Sequence, residues 1–109
     1  MTGYQSIKSD VLSKIEEHLP EIQQRFGIKT LGIFGSVSRG EDTPDSDVDI
    51  LYLFEEKRGG MRDLGGLKYY LEELFGRKTD LISINYVSPL IRENVIADAI
   101  LRGEQALIA

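Results

Sequence analysis

The run Val48–Phe54, VDILYLF, constrains this chain more than any other stretch. Past its opening it has almost no polar content, so it reads as a strand buried on both faces. The segments around it fall into an alternating order. Over Ser9–Phe26, Val11, Leu12, Ile15, Leu19, Ile22 and Phe26 recur at helical spacing. Ser9 or Asp10 is the expected N-cap and Gly27 the expected stop. Pro20 predicts a break or kink near Leu19, with a second helical piece starting there. Ile28–Phe34 reads as a short strand and Glu55–Asp63 as a charged surface loop. Leu64, Leu67, Leu71 and Leu74 form a helix stripe between a cap at Asp63 and a stop at Gly76. Thr79–Ile84 is a third strand. Ser88–Glu104 is expected to be a helix with Pro89 at its first position, and Ala106–Ala109 an edge strand or docked tail. Strands alternating with helices predict a minimal α/β layer fold.

The chain has 109 residues, which predicts one domain over 1–109. That is long enough to bury a core without staples. With no cysteine there is no disulfide framework and no cysteine zinc site. The start lacks a basic-then-apolar signal pattern, and no apolar run approaches the ~20 residues a membrane span needs. The expectation is a cytoplasmic protein, not a membrane one. Thirteen basic against eighteen acidic residues, a net charge of −5, argue against a broad nucleic-acid footprint. A nucleotide remains compatible, because a metal can meet its charge.

The chemistry gathers around the opening of that strand. Asp47 and Asp49 are two residues apart, so on a strand they point to the same face. Side by side their charges repel. Something positive must answer them. Lysine or arginine would serve, but oxygen-only donors also suit Mg²⁺, which binds one or two carboxylates plus substrate phosphates. Asp80 is the second residue of the next expected strand, a register that can bring it beside the pair. Three such carboxylates can hold two metals around an in-line phosphoryl displacement, with Asp80 as candidate base for the incoming hydroxyl. The plain alternative is a solvated strand entrance, most open for Asp80. Upstream, Gly35 and Ser36 directly follow a strand. Glycine admits a close ligand, and a short helix starting at Ser36 would turn N–H groups and a hydroxyl toward an anion. A tight strand-to-helix turn explains the same dipeptide. Asp45, Asp47, Asp49 and Glu56 imitate a calcium-loop spacing, but Ile50 stands where its glycine belongs.

Taken together, GSVSRGEDTPDSDVD resembles the signature of the DNA polymerase β-like nucleotidyltransferases. It is similar in detail to their minimal nucleotidyltransferase (MNT) group, and the likeness extends over RFGIKTLGIFGS and LKYYLEELFGRKTDLIS. The resemblance implies a small mixed sheet flanked by helices. It implies that Gly35 and Ser36 bind nucleotide phosphates, that Asp47 and Asp49 hold Mg²⁺, and that Asp80 is the third carboxylate. Arg39 matches the motif arginine, either touching phosphate or pairing with an acidic neighbour such as Asp45. Ser46 shapes the turn into the strand. The implied reaction moves a nucleoside monophosphate, AMP from ATP, to a hydroxyl. In the MNT group the acceptor can be a tyrosine of a helical HEPN toxin, for which the enzyme is the antitoxin.

Two other functions stay open: a non-catalytic partner-binding module or scaffold, and transfer to an antibiotic-type small molecule. Self-association into a homo-oligomer is open as well. The basic loop with Lys57, Arg58 and Arg62 reads as a solvated loop before a lid over triphosphate. His18, Tyr69 and Tyr70 read as helix surface or packing rather than catalysis.

Overall fold

A computed structural model describes residues 3–90 and 92–103 of the chain. Its elements run α1 (Lys8–Phe26), β1 (Ile28–Phe34), α2 (Gly35–Arg39), β2 (Val48–Phe54), α3 (Met61–Phe75), β3 (Thr79–Ser83), α4 (Arg92–Asp98) and β4 (Ile100–Gly103). A 3₁₀ turn, Ile84–Tyr86, follows β3. The strands lie in the order β3-β2-β1-β4. β2 pairs parallel with β3, while β1 pairs antiparallel with both β2 and β4. The expected small mixed sheet flanked by helices is what forms.

Burial on both faces of β2 follows from its composition. Val48 and Ile50 enter one apolar cluster with Val11, Ile15 and Ile22 of α1 and Leu67 and Leu71 of α3. Leu51 and Leu53 enter a second cluster with Ile84, against which Phe34, Val95 and Leu101 pack. Asp49 alternates with Val48 and Ile50, so it lies on the face of the second cluster.

Several boundaries differ from the sequence reading. The helix α1 runs through Pro20 without a break. Val11 and Ile15 before the proline, and Ile22 and Phe26 after it, all sit in the same core. That shared burial outweighs the loss of one N–H and the ring clash, which cost about 3 kcal/mol. The helix starts at Lys8, not beyond Ser9. The Lys8 N–H donates to Ser6 Oγ at 3.1 Å and the Ile7 N–H to Asp42 at 3.1 Å, so the capping groups come from outside the expected positions. Asp10 instead pairs with Lys14 one turn on. Gly27 and Gly76 end α1 and α3 in the left-handed conformation as expected. Asp63 lies within the first turn of α3, where it accepts from Arg58 and the Gly59 N–H. Those donors, Arg58 foremost, hold its carboxyl down to about 2.

The largest difference is at the C-terminal side. The expected helix over 88–104 shrinks to Arg92–Asp98, and Ile100–Gly103 becomes a strand on the free edge of β1. Gly32 makes this pairing close. A Cβ on it would fall 2.4 Å from Leu101 Cδ2 and 2.5 Å from the Ile100 carbonyl oxygen. Edge pairing and burial of Leu101 override a helical pattern in so short a segment. Residues 106–109 lie outside the described residues. No helix among the described residues is long and apolar enough to cross a membrane.

Candidate active site

Three strand ends meet at one corner of the sheet. β1 finishes at Phe34, which pairs with Asp49 near the start of β2, and Asp49 pairs on its other side with Asp80 near the start of β3. The in-register parallel pairing puts Asp49 and Asp80 side by side on one face. Asp47 precedes β2 by one residue and acts electrostatically on Asp49. The structure thus sets Asp49 beside Asp80, and leaves Asp47 just outside the strand but within electrostatic reach of Asp49.

Asp49 is half-buried, and Asp80 is exposed. Burial pushes the Asp49 carboxyl up from its ordinary value. The neighbouring charges of Asp80 and then Asp47 push it the same way, while Arg39 opposes them. Among the described residues, none of the three carboxylates accepts a hydrogen bond or forms an ion pair. Their repulsion is thus left largely unanswered by the chain itself.

Gly35 and Ser36 open α2 directly after Phe34. Gly35 has φ +74°, and a Cβ there would stand 2.4 Å from Asp49 Oδ2. Only glycine fits both that backbone and that approach. Ser38 fixes the turn, donating from Oγ to the Gly35 carbonyl at 2.9 Å, and Val37 anchors it in the core. Ser36 is half-buried, and its hydroxyl has no hydrogen-bond partner among the described residues. The helix begins at Gly35, one residue before the expected start.

Arg39 forms acidic pairs, but not with Asp45. It donates to Glu41 at 2.9 Å and to Asp98 of α4 at 2.7 Å. It ties the α2 turn to the C-terminal helix while staying close enough to favour ionised Asp49. Ser46 does shape the turn before β2. Its Oγ accepts from the Thr43 N–H at 2.8 Å and its own N–H donates to the Thr43 carbonyl at 3.0 Å.

The loop with Lys57 and Arg58 follows the far end of β2, where Phe54 pairs with Ile28. Arg58 is held there by Asp63 and by the Arg25 carbonyl. This loop does not stand over the aspartates. His18 is also remote, with its ring near Tyr70 between α1 and α3.

The donor set is oxygen only, which suits a hard divalent cation. Among the described residues no three acidic, histidine or cysteine side chains, the three aspartates included, are gathered closely enough to hold a metal ion. A cation held by Asp47 and Asp49 would draw the rest of its coordination from water and substrate phosphate, as magnesium commonly does. The residues fit such an open site. The charge at Asp49, pressed by Asp80 and Asp47 and only partly answered by Arg39, is the observation that favours it.

One group of residues escaped the sequence reading. Tyr4, Asp42 and Arg77 meet beside the turn that leads into Asp47. Tyr4 donates to Asp42 at 2.6 Å, and Arg77 donates to Tyr4 at 2.6 Å. Asp42 is buried, and also accepts from Ser6 and the Ile7 N–H. Burial alone would raise its carboxyl, but these donors together hold it below the ordinary value. No local pattern marks residues that meet from such distant points in the chain.

Comparison with known proteins gives a consistent picture. The profile of the nucleotidyltransferase domain family matches residues 15–102. The protein adenylyltransferase MntA of Thermococcus cleftensis is 36% identical over 91 residues, covering 84% of this chain and 91% of that protein. A solved structure assigned as a minimal nucleotidyltransferase superposes with a TM-score of 0.71 at 38% identity, over 84% of this chain and 92% of that one. A chain from the complex of the tri-AMPylated Shewanella oneidensis HEPN toxin with its MNT antitoxin matches at a TM-score of 0.60. It is 17% identical, over 88% of this chain and 75% of that one, a likeness of fold.

Proposed function

This chain belongs to the nucleotidyltransferase domain family, and we propose that it moves AMP from ATP to a hydroxyl of a protein partner. The observation that carries this reading is the corner where Asp49 and Asp80 pair in register, with Asp47 within electrostatic reach and Gly35 against Asp49. A core strand has no structural use for that concentration of negative charge.

Gly35 and Ser36 bind the phosphates of ATP, with the Ser36 hydroxyl free to donate. The glycine keeps the floor of the site low enough for phosphate to approach Asp49. Asp47 and Asp49 would hold Mg²⁺, which when bound supplies positive charge to the phosphates in the transition state. Asp80, exposed beside Asp49, accepts the proton of the attacking hydroxyl. The hydroxyl oxygen forms a bond to the α-phosphorus, the bond from that phosphorus to the bridging oxygen breaks, and pyrophosphate leaves. Arg39 keeps α2 braced against α4 through Asp98 while that exchange proceeds. The acceptor is a tyrosine of a HEPN-type toxin, which the transfer silences. The name of the Thermococcus relative supports a protein acceptor, and the AMPylated toxin in the Shewanella complex supports one of HEPN type.

Intact-mass spectrometry tests the reading. Proteins that co-purify with the chain would be incubated with Mg²⁺ and each of the four nucleoside triphosphates. The expected result is a mass gain of one or more AMP units on a helical partner, with ATP, lost with Asp47→Asn. A stable partner that gains no nucleotide from any triphosphate would overturn it. The Asp80→Asn variant is expected to bind ATP with wild-type affinity and to transfer at least about 100-fold more slowly, the usual contribution of a positioned base. Loss of ATP binding in that variant would make Asp80 a ligand holder rather than a base.

A further inference from the structure

The turn before β2 is also held by a side chain from the segment that leads into the neighbouring strand β3. Arg77 follows the Gly76 stop of α3, two residues before β3. Its Nη1 donates to the Thr43 carbonyl at 2.8 Å and to the Ser46 carbonyl at 3.0 Å. Its Nη2 donates to the Tyr4 hydroxyl at 2.6 Å, and the guanidinium lies 5.7 Å from the Tyr4 ring centroid. One residue further, the Val48 N–H donates to the Lys78 carbonyl at 2.9 Å. Asp47 is therefore bracketed. The carbonyl before it is bound by Arg77, and the N–H after it is bound by Lys78. The next two residues are Thr79 and Asp80, so the same short stretch that carries Asp80 also fixes the backbone on both sides of Asp47.

We propose that Arg77 is a positioning residue for the phosphate-and-cation site, acting through the Thr43 and Ser46 carbonyls to set the Asp47 carboxylate against Asp49 and Asp80. The inference rests on the nucleotidyl-transfer reading above. Arg77 contacts backbone and Tyr4, and none of the three aspartates. Its planar fork suits the task, because it serves two carbonyls and a phenol at once. A lysine ammonium cannot match that geometry. Tyr4 and Asp42 add a second restraint, joining the N-terminal segment to the same turn.

Groups that orient the ligands of a metal or phosphate site commonly contribute about 10–100-fold in affinity or activity. Two measurements read this out. One is the Mg²⁺ concentration for half-maximal transfer. The other is the Mg²⁺-dependent binding of a fluorescent, non-hydrolysable ATP analogue, which needs no turnover. Arg77→Ala is expected to raise the half-saturating Mg²⁺ about 10-fold or more in both, and added ethylguanidinium to restore part of the loss. Arg77→Lys, which keeps charge and solubility but loses the fork, is expected to shift the same way, and it serves if the alanine variant does not fold. Variants that melt lower but match wild type in both Mg²⁺ titrations would reduce Arg77 to a fold support and overturn the inference. A wild-type protein that neither binds the analogue nor transfers would refute the nucleotidyl-transfer reading, and this inference with it. A wild type that does both, beside unshifted variants, refutes this inference alone.

Discussion

Asp49→Asn is expected to lower AMP transfer about a thousandfold or more and, at the same time, to raise the melting temperature by a few degrees. The two effects have one cause. Asp49 is half-buried beside Asp80 and Asp47, and its carboxyl is pushed up by burial and by both neighbours. Asparagine keeps the shape and removes the charge that would meet the cation. Charge stabilisation of that kind is worth several kcal/mol in the transition state, hence the thousandfold scale. The gain in stability is smaller. Solvent screens a half-exposed group, so about 1 kcal/mol is a sensible scale, and that moves the melt of a domain this size by about 4–8 °C.

The pH dependence of that gain follows from the direction of the shift. A raised carboxyl binds its proton more tightly in the folded than in the unfolded chain. The penalty is absent below the ordinary carboxylate value of 3.8, grows as pH rises through the raised value, and is full above it. The stabilising effect of Asp49→Asn should therefore be present at neutral pH and vanish on acidification below that window. Melts of both proteins across pH check it. An Asn variant no more stable than wild type at pH 7 would mean that the carboxylate is not repelled as described.

Gly35→Ala is the second large effect. The residue has φ +74°, and the added methyl would meet Asp49 Oδ2 at 2.4 Å. Backbone strain of that type costs about 1–3 kcal/mol. The contact adds displacement of the carboxylate itself, and a shift near 1 Å in a reacting group can cost about 100-fold in rate. Gly40→Ala separates the two terms. Gly40 has φ +72°, but a Cβ there meets nothing within 4 Å. Both variants should melt lower by similar amounts, and only Gly35→Ala should lose transfer about 100-fold. Equal rate losses would show that general strain, not contact with Asp49, is responsible.

Much of this site could be read from local pattern. The spacing of Asp47 and Asp49 at the mouth of VDILYLF marked the acidic corner, although Asp47 falls just outside the strand, and the position of Asp80 in TDLIS allowed the pairing with Asp49 that the parallel β2–β3 register provides. Gly27 and Gly76 marked helix ends because a left-handed stop is a local event. What escaped depends on distant partners. Ile100–Gly103 carries no strand signal strong enough to beat a helical reading, and becomes a strand because β1 offers a free edge beside Gly32. Pro20 fits inside α1 because the core on both sides of it holds the helix in one piece. Arg39 finds Asp98, 59 residues away, and Arg77 finds Tyr4 across 73 residues. Such contacts are set by the way strands and helices stack, and a one-dimensional pattern does not contain them.

The most direct test of the central claim is a thermal melt of the wild-type protein and of Asp49→Asn, each alone, with Mg²⁺, with ATP, and with both. Ligands that bind the folded state raise its melting temperature by mass action. If the carboxylates are a cation-and-nucleotide site, the wild type gains stability from Mg²⁺ and ATP together beyond the sum of each alone. Asp49→Asn starts higher and gains little. A variant that gains as much from the pair as the wild type does would contradict the account.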